Sequence, residues 1–249
     1  MKLHEALGIS SGSVAAFVGA GGKSGAILAV AGELKQAGMK VLAAPTTKMR
    51  LSEADKIGPL VTSEHDGDLR AEIERALSGA PGGVVVGGGM LSKNRVSGLD
   101  PGLISGLVSL ADVVLVEADG SRRRPIKGTA EHEPVIPDEA TLVVAVGNVR
   151  ALGTPVDEEH VHRPEVFSNL TGIGPGQSIT AGAFARALAR GSLARVPEGA
   201  QVAALITGVE PGRSMADASV VTRELWRLGI KKVILTSLPD ESPARVWIP

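Results

Sequence analysis

The chain of 249 residues contains no cysteine. Disulfide scaffolds, iron–sulfur clusters, thiolate zinc sites and a cysteine nucleophile are therefore excluded. Tyrosine is also absent, and three Phe and two Trp make up the whole aromatic complement. That scarcity argues against a stacking platform for single-stranded nucleic acid. Neither sign of charge dominates: 26 Lys and Arg stand against 27 Asp and Glu, a formal net charge of −1. Such a balance exerts no overall pull toward nucleic acid or an anionic membrane surface. No apolar run reaches the ~18 residues that a spanning helix needs. The opening Met1-Lys2-Leu3-His4-Glu5 places an acid where an export signal would turn apolar. These absences predict a cytoplasmic protein that engages neither nucleic acid nor membrane.

What the chain does have is a 43% hydrophobic composition and 32 glycines. Glycine at nearly twice its average frequency of about 7% points to many tight turns or a glycine-dependent ligand loop. Short β-branched runs recur at 14–19, 40–44, 84–87, 113–117, 141–147, 202–207 and 232–236. Several are apolar without alternation, such as Val84-Val85-Val86 and Val113-Val114-Leu115-Val116. Strands covered by helices on both faces of a parallel sheet have this composition. Helical patterns fall between them at 23–36, 68–77, 101–110, 180–189 and 215–228, with Gly38 and Gly229 at expected C-caps. The alternation predicts an α/β three-layer sandwich with a mostly parallel sheet. Two stretches break it, at about 120–137 and 149–178, and no clean linker separates them from the rest. The expectation is one elaborated domain over 1–249, with these two loops functional.

The first strand pattern runs into Gly19-Ala20-Gly21-Gly22-Lys23-Ser24, which opens the first long helix. Glycines let a backbone close around phosphate oxygens, and a helix start adds free N–H donors and partial positive charge. Lys23 supplies a full charge for terminal phosphate oxygens, and the Ser24 hydroxyl is a natural Mg²⁺ ligand. The strict Gly-x4-Gly-Lys-Ser/Thr template would need glycine at Phe17; the fit is to a shorter Gly-x2-Gly-Lys-Ser, similar to the loop of Mur-type ligases. Gly19, Ala20, Gly21, Gly22, Lys23 and Ser24 are thus the expected cradle for ATP or another nucleoside triphosphate.

A phosphate loop needs carboxylates near its metal, and Val116-Glu117-Ala118-Asp119 ends a buried strand with two acids at spacing two. At the carboxyl edge of a parallel sheet, one can hold Mg²⁺ and the other can orient a water or nucleophile. Lys23, Glu117 and Asp119 are the candidate catalytic residues. After the second strand, Thr46-Thr47 places hydroxyls at the same edge, and Thr47 joins Ser24 and Glu117 as a candidate metal ligand. Ser121-Arg122-Arg123-Arg124-Pro125-Ile126-Lys127 follows the acids directly. Arg122, Arg124 and Lys127 are placed to hold a second anionic substrate facing the nucleotide. His132, His162 and Arg163, from the two irregular loops, read as hydrogen-bonding walls of that site, since no His-x3-His helix or acid cage accompanies them.

With these elements in place, the chain resembles the YqeC family, accessory proteins of selenium-dependent molybdenum hydroxylases. The matching pieces are the phosphate loop, Thr46-Thr47-Lys48-Met49, Glu117-Ala118-Asp119-Gly120, His132-Glu133-Pro134-Val135-Ile136-Pro137 and Val161-His162-Arg163-Pro164-Glu165. The resemblance implies a P-loop NTPase-like fold of the class of dethiobiotin synthetase and the molybdopterin-guanine dinucleotide adaptor protein. It also implies a role in maturing or inserting a molybdenum cofactor, with a molybdopterin-type cofactor and a molybdenum hydroxylase as partners. Relatives tend to carry an Asn-x-x-Asp element where this chain has Thr207-Gly208-Val209-Glu210, which leaves the base open. Two readings share the loop: an enzyme that hydrolyses the nucleotide or transfers its terminal phosphoryl group, and a nucleotide-dependent switch or chaperone with little turnover.

Overall fold

Strand β1 (Val14–Gly19) has all six residues buried, and its side chains divide by parity as a pleated strand requires. Val14, Ala16 and Val18 enter the core on one face of the sheet, while Ala15 and Phe17 enter the core on the other. A strand buried on both faces must be sandwiched between helices, and the rest of the chain supplies them. The computed structural model describes residues 1–63, 68–78, 82–237 and 244–249.

Eight further strands join β1 in one sheet: β2 (Val41–Ala43), β3 (Leu60–Thr62), β4 (Gly83–Gly87), β5 (Val113–Glu117), β6 (Leu142–Asn148), β7 (Gln201–Thr207), β8 (Val233–Leu235) and β9 (Arg245–Trp247). The spatial order is β9-β8-β7-β6-β1-β5-β2-β4-β3. Every described pairing in it is parallel except β8 with β9. From β1 the chain moves to one side of the sheet, through β5, and then crosses to β6 on the other side of β1. The order therefore reverses at β1, which is where an open α/β sheet forms a ligand crevice beyond its carboxyl edge.

Helices α1 (Leu3–Leu7), α2 (Lys23–Gln36) and α3 (Leu51–Ile57) cover the face that holds Phe17. The opposite face is covered by α4 (Leu69–Leu77), α5 (Pro164–Thr171), α6 (Ala181–Arg186) and α7 (Arg213–Arg227). The result is a three-layer α/β sandwich with a mostly parallel sheet. Local signals account for several boundaries. Asp68 accepts hydrogen bonds from the backbone N–H groups of Arg70 and Ala71 and so starts α4, and Thr180 starts α6 in the same manner. Helix α6 then widens into a π-helical turn over Ala187–Ser192.

Residues 101–110, expected as one helix, form two single 3-10 turns, Pro101–Leu103 and Val108–Leu110. Gly102 and Gly106 lie in this stretch, and two glycines within ten residues weaken a continuous helix by about 1 kcal/mol each. The irregular 149–178 stretch contains α5, unforeseen from sequence, and a 3-10 turn over Val149–Ala151. The two irregular loops meet: Ile126–Lys127 and Val161–His162 form a two-residue parallel ladder. A separate three-stranded sheet joins Met49–Arg50, Arg95–Val96 and Met90–Ser92. Among the described residues, no helix is long and apolar enough to cross a membrane.

Candidate functional site

Beyond the carboxyl edge of β1 and β5 lies one large cleft of about 1890 Å³. Its floor is the turn from β1 into α2. Gly21 and Gly22 adopt φ values of +75° and +137°, a region that side-chain-bearing residues avoid. Space forbids a side chain there as well: a Cβ on Gly21 would sit 2.5 Å from the Pro125 carbonyl oxygen, and one on Gly22 would sit 2.9 Å from Thr207 Cγ2. Thr207 Oγ1 donates to the Gly21 carbonyl and pins the turn to the end of β7. The backbone can thus approach a ligand closely, with α2 beginning directly behind it.

The cleft is lined by Gly21, Gly22, Lys23, Ser24, Thr47, Glu117, Arg122, Arg124, His132, His162 and Arg163 among the residues singled out from sequence. Ser24 Oγ donates to Glu117 Oε2 at 2.9 Å, so two of the three expected metal ligands face each other. Burial raises the Glu117 carboxyl above its ordinary range, and the Lys23 charge and the Ser24 hydrogen bond only partly offset this. Thr46 and Thr47 both line the cleft, and the Thr46 hydroxyl donates to Val135 O at 3.1 Å.

Four expectations are corrected by the structure. The Gly19 N–H donates to Asp119 Oδ2 at 2.9 Å, and the Ala20 N–H donates to Val146 O at 2.9 Å. Both groups close the end of the strand, so neither is free for a phosphate. Asp119 is 0% exposed and does not line the cleft. The chain folds under the loop after Ala118, which makes Asp119 a counter-ion rather than a group that meets a reacting atom. Lys127, expected to hold an anionic substrate, is only 1% exposed. Its Nζ donates to Asp119 Oδ2 at 3.0 Å, Gly120 O at 2.8 Å and Glu133 Oε2 at 2.6 Å, so its three donors are already taken.

These contacts belong to one buried chain of alternating charge. Lys23 Nζ donates to Gly19 O at 2.6 Å and lies 3.1 Å from Asp119 Oδ1 as an ion pair; that oxygen has no hydrogen-bond donor. Asp119 holds Lys127, Lys127 holds Glu133, and Glu133 receives both terminal nitrogens of Arg163. Burial pushes the Glu133 carboxyl up, but hydrogen bonds and charge from Arg163 and Lys127 outweigh it and hold the group at about 2. Burial also lowers His162, with Arg163 and Lys127 adding to the effect, to about 4; its imidazole is neutral near pH 7.

Several lining residues were not legible in the sequence. Glu133 read only as the middle of His-Glu-Pro. Arg50 and Arg95, from the small three-stranded sheet, and Ser97, just beyond its strand Arg95–Val96, also line the cleft; no local pattern marks them. Asn148 and Thr207 also line the cleft, and a usable signal existed for these two, since each is the last residue of a buried strand. In all, nine Lys and Arg and four Glu line the cleft, a formal excess of five positive charges in a chain whose total is −1.

A family model described as YqeC protein matches residues 15–165 of this chain, a span that holds the loop, Glu117, the basic loop and Arg163. The chain is also similar to an uncharacterized protein YqeC of Escherichia coli (strain K12), at 34% identity over 169 residues. That match covers 67% of this chain and 64% of the relative's length. With more than half of its residues matched by the family model, and with most of the cleft lining drawn from that region, the chain belongs to the YqeC family.

Proposed function

We propose that the chain is a Mg²⁺-dependent nucleotide-binding protein that hydrolyses a nucleoside triphosphate or transfers its terminal phosphoryl group. The observation that carries this reading is the placement of Gly21–Ser24 at the head of α2, where the sheet order reverses, directly opposite Glu117. Free N–H donors, a helix N-terminus and the Lys23 ammonium suit a phosphate tail. Ser24 and Glu117 offer hard oxygen donors of the kind Mg²⁺ takes, and among the described residues no group of three or more His, Cys, Asp or Glu could hold a metal ion. A hydroxyl and one carboxylate, completed by phosphate oxygens and water, match the habit of that ion. When bound, Mg²⁺ neutralises phosphate charge and orients the oxygens. Lys23 would turn from Asp119 toward the ligand, and Glu117 would hold the ion directly or through a water that it orients. The biological setting we propose is maturation or insertion of a molybdenum cofactor, as the family resemblance implies.

A switch with little turnover is the second reading. It is favoured by the engagement of Lys23 and Ser24 with Asp119 and Glu117, contacts that a ligand must exchange for its own. Calorimetric titration of ATP, GTP and CTP with Mg²⁺ into the wild type, Lys23→Ala and Ser24→Ala tests the shared premise. The expected result is a loss of at least about tenfold in affinity for Lys23→Ala, or 1.4 kcal/mol, with the far-UV spectrum unchanged. Unaltered binding in both variants would overturn the loop assignment. Phosphate release measured on the wild type separates enzyme from switch.

A further inference from the structure

We propose that the cleft contains a second anion subsite, distinct from the phosphate loop, built on Arg124, Arg163 and Arg122 and taking a phosphomonoester dianion. This deepens the nucleotide reading and relies on it only for the identity of the first ligand.

The cleft measures about 1890 Å³, roughly twice the upper end of the ~300–1,000 Å³ range of single small-molecule pockets. Its charge is in excess as well. Nine basic and four acidic residues line it; a Mg²⁺-nucleoside triphosphate carries a formal −2 and so leaves about three positive charges unanswered. A phosphomonoester dianion answers two of them, a carboxylate only one. Four of the nine basic residues, Arg122, Arg123, Arg124 and Arg163, belong to the two irregular segments rather than to the phosphate loop, although the first segment abuts the loop where the Pro125 carbonyl meets Gly21.

The backbone there is built under strain. The non-glycine residues with positive φ among the described residues are Arg122 (46°), Arg123 (63°) and Arg163 (60°), and all three line this cleft. Such conformations cost about 1–3 kcal/mol each and persist where the surroundings over-determine them. At Arg163 the surroundings do so. The ladder between Ile126–Lys127 and Val161–His162 ends at its neighbour, and Glu133 grips two of its guanidinium nitrogens while being itself held by Lys127. A guanidinium has five N–H donors, so donors remain for a ligand after Glu133 is served. Arg124 makes no side-chain hydrogen bond or ion pair among the described residues, which leaves its whole fork available for an oxyanion. His162 stands beside Arg163 as a neutral donor and acceptor.

The experiment is a titration of inorganic phosphate into the protein whose loop has first been filled with a non-hydrolysable ATP analogue and Mg²⁺. Binding of phosphate to the loaded protein is expected. It should weaken at least tenfold in Arg124→Ala and several-fold in Arg163→Lys, which keeps charge but loses the fork, while affinity for the analogue stays the same. Absence of phosphate binding in the loaded wild type would overturn the subsite, as would equal losses of phosphate and analogue in Arg124→Ala. Acetate that binds as well as phosphate would overturn the dianion assignment. Should the analogue itself fail to bind, the nucleotide reading falls, and phosphate titrated alone still decides the subsite: loss in Arg124→Ala with retention in Lys23→Ala supports it, and the reverse pattern refutes it.

Discussion

Asp119 and Glu133 serve as counter-ions, the first beneath the cleft and the second in its lining. Each carboxylate lies between two cations, Asp119 between Lys23 and Lys127, and Glu133 between Lys127 and Arg163. Desolvation offsets most of what such a buried pair gains, but removing one partner leaves an uncompensated charge and is costly. Two groups in the cleft have folded-state values below their ordinary ones: Glu133 at about 2 rather than 4.5, and His162 at about 4 rather than 6.5. In each window the unfolded chain binds a proton that the folded chain does not, so stability rises with pH. Acidification from pH 6.5 to 4 is therefore expected to destabilise the fold through His162, and from 4.5 to 2 through Glu133, while Glu117, raised by burial, gives the opposite slope. Glu133→Gln should flatten the lower window by about 1–2 kcal/mol after allowance for solvent screening. Urea midpoints measured across pH 2–7 on wild type and variant check this, and identical profiles would refute it.

The turn between β1 and α2 is the element on which the site depends, and its glycines differ in kind from those elsewhere. At Gly21 a side chain would meet both a left-handed backbone and the Pro125 carbonyl oxygen at 2.5 Å. Gly12 has a similar φ of +86° with nothing within 4 Å of an added Cβ. Gly12→Ala should cost only the conformational term of about 1–2 kcal/mol. Gly21→Ala adds the displacement of backbone and should cost more, on the order of 3 kcal/mol, with loss of nucleotide binding. Thermal melts of the two variants test this ordering, and a Gly21→Ala melt equal to that of Gly12→Ala would show that the turn yields readily. The sequence made this element readable because its cues are local: glycines, a lysine, a hydroxyl and a helix start within six residues. Residues 101–110 lacked such clarity, since an apolar rhythm there competes with two glycines, and the glycines prevailed.

For the whole molecule, charge is distributed in a way that its total conceals. A chain of net −1 carries a formal excess of five positive charges along one cleft, so anionic ligands meet an attractive field although the protein as a whole does not provide one. Raising NaCl from about 50 to 500 mM shortens the screening length from roughly 14 to 4 Å and is expected to slow nucleotide association about tenfold. Stopped-flow measurements check this; an association rate indifferent to salt would indicate that the basic residues are neutralised from within.

The amino-acid sequence by itself determined the layering. Runs such as Val113-Val114-Leu115-Val116 can be buried only between two helical faces, and alternation of strand and helix then yields a mostly parallel sandwich. It also announced the glycine-rich turn at the head of α2 and the strand that ends in Glu117, because a strand, its terminal residues and the helix that follows are contiguous. Only the tertiary structure decided which charged residues face the cleft and which serve beneath it. Lys127 and Asp119 look no different in sequence from Arg124 and Glu117. Their fates diverge because the chain turns under the loop after Ala118 and because two irregular segments, 120–137 and 149–178, zip together through two residues. Contacts between segments tens of residues apart arise from packing and charge compensation, and no local periodicity encodes them.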